Sequence, residues 1–112
     1  MPIEKWSEQV YVVRLLDDPQ FTDDLQLLQE QMARSGTSAV LDFAAVKFLN
    51  SSNIARLLRL RKQAIASSLK LVLCGFSTQL WGTFLSTGLD KVFEFSADVT
   101  TALATLKINE SS

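Results

Sequence analysis

Residues 39–62 read AVLDFAAVKFLNSSNIARLLRLRK. No other stretch limits the fold as tightly, because an apolar run passes through a hydroxyl-bearing turn directly into a helical pattern. Ala39, Val40, Leu41 and Phe43 read as a strand covered on both faces, Val46, Phe48 and Leu49 carry apolar character to the turn, and Leu57, Leu58 and Ile65 recur at helical spacing beyond it. Asn50, Ser51 and Ser52 therefore stand at a helix N-terminus. The first N–H groups of a helix have no partners within it, and the macrodipole places partial positive charge there, so a phosphate is well tolerated at this point. Two readings of the hydroxyls stay open: Ser51 or Ser52 is an ordinary N-cap, or Ser51 is a functional site able to carry a phosphate.

The rest of the chain alternates in the same way, which predicts an α/β fold. Residues 9–15 alternate and are β-rich, and Asp17 to Gln20 with Pro19 marks a turn. Phe21, Leu25, Leu28 and Met32 then predict a helix, with Thr22 as N-cap, Asp23 and Asp24 as a solvated pair suited to the positive end of the dipole, and Gly36 as the stop. The helix that opens near Ser51 is expected to end around Ser67 and Ser68, before a continuous apolar strand over residues 69–76. A third helix follows from Ser77 to Gly88, with Trp81 and Phe84 in the core. Val92, Phe93 and Phe95 predict a short last strand, and Val99, Ala102, Leu103 and Leu106 stripe a final helix. About four strands and about four helices result, in one domain over residues 1–112 with short flexible ends at 1–5 and 108–112. Trp6 is expected to bury against the first strand.

Several function classes find no support. The chain lacks histidine and has one cysteine, so it holds neither a histidine-based nucleophile system, nor a histidine or multi-cysteine zinc site, nor an internal disulfide. Its four glycines form neither a dinucleotide fingerprint nor a phosphate loop. No enzyme, cofactor or metal ion is expected. A net charge of -1, from 11 basic and 12 acidic residues, gives no electrostatic case for nucleic acid or an anionic membrane, and no apolar run approaches the length of a bilayer span. A cytoplasmic protein is expected, with Cys74 a buried, reduced thiol inside LVLCGF. Arg56, Arg59, Arg61 and Lys62 share the helix of Ser51. They read as a solvated face, or, for Arg56 and Arg59, as a pair that meets an acidic partner surface.

The stretch at residues 39–49, the Asn-Ser-Ser-Asn-Ile at 50–54, the strand at 70–76 and the segment at 86–95 with its Thr-Gly-Leu-Asp-Lys-Val-Phe stand in an order and spacing that resemble the STAS family, the anti-sigma factor antagonists and their relatives. Asn50 stands where that family has an aspartate, and Asn53 where it has a glycine. The resemblance implies a single STAS-like domain with a small mixed β-sheet, and Ser51 as the phosphoacceptor of a partner kinase. Asn50, Ser52 and Asn53 would lie around it, and Arg56 and Arg59 beside them, in contact with the partner. It further implies that the unmodified form binds an anti-sigma factor, typically a serine kinase, and so frees a sigma factor for transcription, while a phosphatase reverses the modification. A STAS scaffold or assembly module that is never phosphorylated is the alternative.

Overall fold

Strands and helices alternate because short runs of β-branched and leucine residues are separated by longer stretches of 3.6-residue periodicity. The computed structural model describes the backbone of residues 3–111 and the side chains of residues 3–106. The elements in chain order are β1 (Ile3–Ser7), β2 (Val10–Arg14), α1 (Gln20–Ser35), β3 (Ser38–Asp42), α2 (Ser51–Ala66), β4 (Leu71–Cys74), α3 (Thr78–Thr87), a 3-10 turn (Leu89–Lys91), β5 (Glu94–Ser96) and α4 (Val99–Ser111). One sheet runs β1-β2-β3-β4-β5, with β1 antiparallel to β2 and every later pair parallel, so it is mixed as expected.

Sequential parallel strands joined by right-handed crossovers place their helices on one face. Two apolar layers follow from the period of two along the strands. Val13, Leu41 and Leu73 point to the side where Phe21, Leu25, Leu28, Leu57, Leu60 and Phe84 of α1, α2 and α3 close the larger core. Val12, Val40, Val72 and Cys74 face Ala102 and Leu106 of α4 on the other side. Because β2 to β5 are parallel, the loops that follow them emerge at one edge of the sheet, and that edge carries residues 50–52.

The sheet has five strands rather than four. In β1 only Ile3 is partly buried, while Glu4, Lys5, Trp6 and Ser7 are exposed, so an edge strand with one neighbour leaves almost no apolar alternation to read. Ile3 to Lys5, expected in a loose end, are thus held in the sheet, whereas residues 1, 2 and 112 and the side chains beyond 106 lie outside the described residues. Trp6 is 65% exposed, which overturns its expected burial. The last strand is displaced as well: Val92 and Phe93 belong to the turn after Leu89–Lys91, where the Val92 carbonyl accepts from Arg61 Nε at 2.8 Å.

The start of α1 also differs. Thr22 does not cap it. Instead Asp18 Oδ1 accepts from the Thr22 N–H at 3.0 Å and from its Oγ1–H at 2.7 Å. Asp24, expected in solvent, is buried on the core side, and among the described residues its Oδ2 has no hydrogen-bond partner. Loss of hydration, aided by the neighbouring Asp23, pushes its carboxyl above the usual range. A carboxyl whose pKa is raised by folding opposes folding when ionised, and that opposition is absent below the unfolded pKa and grows as pH rises through the folded one. Asp24→Asn is therefore expected to raise the melting temperature at pH 7. The gain should shrink as pH is lowered toward 4 in thermal melts.

Candidate functional site

The approach to Ser51 is fixed by three carboxylates. At the end of β3, Asp42 Oδ1 accepts from the Ala44 N–H at 3.0 Å, turning the chain out of the sheet. Asp17 Oδ1, in the loop after β2, then accepts from the N–H groups of Lys47 at 2.8 Å and Phe48 at 3.2 Å. This fork ties two loops thirty residues apart in sequence. It leaves Phe48 71% exposed and Leu16, beside Asp17, 43% exposed.

Asn50 is the N-cap of α2, with extended backbone at φ -101° and ψ 174°. Its Oδ1 accepts from the Asn53 N–H at 2.8 Å, and the Asn53 Oδ1 accepts from the Asn50 N–H at 3.0 Å. A reciprocal pair of this kind satisfies two otherwise unpaired donors of the helix start. Neither Ser51 nor Ser52 is the cap. They occupy the first two helical positions, both exposed, and among the described residues neither hydroxyl makes a hydrogen bond. Their first-turn amides have no acceptor within the helix.

Asn53 lies below this surface. It is buried, and its Nδ2 donates to Asp18 Oδ2 at 2.8 Å. With both oxygens of Asp18 engaged, hydrogen bonds from Asn53 and then Thr22 hold its carboxyl below the usual range. One side chain therefore links the starts of α1 and α2. Asn53→Ala removes the acceptor for the Asn50 N–H and the donor to Asp18 together, and is expected to destabilise the fold by about 1–2 kcal/mol, measured as a shift in denaturant midpoint without change in slope.

The residues expected around Ser51 divide accordingly. Asn50, Ser52 and Arg59 reach the surface. Asn53 is a buried support rather than a surface contact, and Arg56 is half-buried, turned toward α1, where it lines a shallow polar groove with Gln26, Gln29, Glu30 and Gln63. Arg56 Nε is buried without a hydrogen-bond partner among the described residues. Asp17 and Asp18 do not figure in the sequence reading of the site, although the three-residue spacing of Asn50 and Asn53 carries the signature of a capping pair. Cys74 is buried at the end of β4, and burial, with Asp42 and Asp98 adding to it, raises its pKa to about 12, so the thiol stays protonated. No helix among the described residues is long and apolar enough to cross a membrane.

Residues 19–102 match the STAS domain family. No curated protein matches the sequence. Among solved structures, the fold is similar to RsbS of Moorella thermoacetica in a serine-to-glutamate variant, with 20% identity and a TM-score of 0.85 over 99% of this chain and 97% of that one. It is similar to the Bacillus cell fate determinant SpoIIAA in its phosphorylated form, with 17% identity and a TM-score of 0.73 over 93% and 96% of the two chains. A chain of the stressosome, described as a signal integration and transduction hub, shares 21% identity and a TM-score of 0.75 over 99% and 100%. At such identities the likeness concerns the fold.

Proposed function

The chain belongs to the STAS domain family, and from that we propose that it is a cytoplasmic regulatory protein that binds an anti-sigma factor with serine kinase activity and is released when Ser51 is phosphorylated. The observation that carries this reading is the start of α2: two exposed serine hydroxyls with no hydrogen bond among the described residues, on a helix end that Asn50 and Asn53 cap without them. A hydroxyl already spent on capping would have to break that bond to accept a phosphate, whereas Ser51 can be modified with the cap intact. A phosphate there meets first-turn amides and the positive end of the helix dipole. That the family's fold also occurs in a phosphorylated Bacillus protein supports the reading.

Ser51 is the acceptor and Ser52 its neighbour, while Asn50 and Arg59 contribute surface, Asn53 supports the cap from below and Arg56 turns toward α1. Unmodified, the domain holds the anti-sigma factor and frees a sigma factor for transcription; a phosphatase restores that state after phosphorylation. The alternative is a STAS scaffold without a switch, favoured by Asn50 in place of the family's acid and by the similarity to a stressosome chain. Affinity capture from host lysate with wild-type, Ser51→Ala and Ser51→Asp baits separates the two. The switch predicts a kinase-like anti-sigma factor on the first two baits and not on the third, and equal recovery by three folded baits would establish the scaffold.

A further inference from the structure

The solvent face of α2 differs from an ordinary surface helix in two ways. Ala55, Leu58, Lys62 and Ile65 follow one another at spacings of three, four and three, the interval at which one helix packs along another, and all four are exposed, Ile65 at 57%. The opposite face, with Leu57, Leu60 and Ala64, is already committed to the core. Charge is the second difference. The sequence of α2 holds four basic residues and no acid; Arg61 is engaged with the Val92 carbonyl and Arg56 turns toward α1, so Arg59 and Lys62 are the two that face solvent along the seam.

At the N-terminal end of this seam stand Ser51 and, two residues before the cap, Phe48. An exposed phenylalanine is usual on a mobile loop, but the backbone of this one is clamped by Asp17. A large apolar side chain held out on an ordered backbone is the form of an interface anchor.

We infer that the α2 seam, anchored by Phe48, docks an acidic amphipathic helix of a partner protein, whose apolar stripe lies on Leu58 and Ile65 and whose carboxylates meet Arg59 and Lys62. The inference rests on the proposal that the start of α2 faces the partner, and it adds what the partner presents there. It also explains the direction of the switch: a phosphate at Ser51 brings negative charge to the end of a surface selected for an acidic ligand.

The test is an NMR titration of the isotope-labelled full chain with two synthetic helical peptides of identical leucine pattern, one flanked by glutamates and one by lysines. Shift changes from the glutamate peptide should map to residues 48–65, with binding about tenfold tighter than for the lysine peptide. Phe48→Ser with Ile65→Ser should abolish binding with little change in the melting curve, since the two side chains are 71% and 57% exposed. Arg59→Glu with Lys62→Glu should reverse the preference between the peptides. Changes elsewhere on the surface, equal binding of both peptides, or a seam covered by a second copy of the chain in light scattering would overturn the docking surface. Failure here leaves phosphorylation of Ser51 intact as a measurable event. Binding to the seam that Ser51→Asp does not weaken would retain the docking surface and remove the switch.

Discussion

Phosphorylation of Ser51 is expected to weaken the complex with the anti-sigma kinase by tens to thousands of times while leaving the domain folded. Retained folding and lost affinity have different physical origins. In the free domain the phosphate adds about -1.5 to -2 charges at exposed helical position one, where the dipole contributes a favourable term of about 0.3 to 1 kcal/mol. Melting of the modified protein should therefore differ little from that of the unmodified one. In the proposed complex the same group would be desolvated without a prepared counter-charge, with a penalty of about 2 to 5 kcal/mol. At about 1.4 kcal/mol per decade of affinity this gives the stated range. Calorimetric titration of the captured kinase with unmodified, phosphorylated and Ser51→Ala protein measures it, and Ser51→Ala should bind as the unmodified chain does. Asn50→Asp refines the picture. An aspartate retains the acceptor for the Asn53 N–H, so the cap survives, but it places a negative charge beside the acceptor hydroxyl and should change the rate of phosphate transfer.

Gly75→Ala is expected to destabilise the fold by about 2–4 kcal/mol, lowering the melting temperature by about 10 °C or more. Gly75 follows β4 with φ +77°, a conformation that side chains rarely adopt. A Cβ there would also run into Asp42 Oδ1 and lie 3.2 Å from the Ala44 nitrogen and 3.4 Å from that of Phe43. Asp42 cannot simply swing aside, because Oδ1 holds the Ala44 N–H and Oδ2 stands 3.7 Å from Arg14 Nη1. Those atoms begin the loop that leads to Phe48 and Ser51, so the variant should lose partner affinity along with stability. Gly82 supplies the control. It lies inside α3 with nothing within 4 Å of an added Cβ, and Gly82→Ala should be neutral or stabilising by about 0.5–1 kcal/mol. Thermal melts of both variants side by side check the contrast.

How much of this is legible in the sequence depends on how local the physics is. The strand, turn and helix around residues 39–66 are legible because each rests on a periodicity within a few residues, and α2 ends where Ser67 and Ser68 suggest. The ends of α1 and α3 at Gly36 and Gly88 follow for the same reason. β1 is not legible, since an edge strand buries little and so leaves no alternation. The geometry around Ser51 is half legible: that a helix begins there is local, but the clamp from Asp17 and the bond between Asp18 and Asn53 join positions 31 and 35 residues apart, and no spacing rule reaches across the sheet edge. Acids ahead of a helix ordinarily indicate solvated dipole partners, and here three have other roles: Asp17 and Asp18 tie loops, and Asp24 is buried. Phe48 continues the apolar run toward the turn in the sequence, and in the structure it stands 71% exposed on a backbone held by Asp17.

Site mapping after reaction with the cognate kinase tests the Ser51 switch without an intermediate readout. The purified chain is incubated with the captured kinase and ATP, the number of phosphates is read from the intact mass, and their position is read by tandem mass spectrometry. A single phosphate on Ser51 is expected, absent from Ser51→Ala and still present on Ser52→Ala. A phosphate on Ser52 instead, or no uptake by the folded chain, would contradict it.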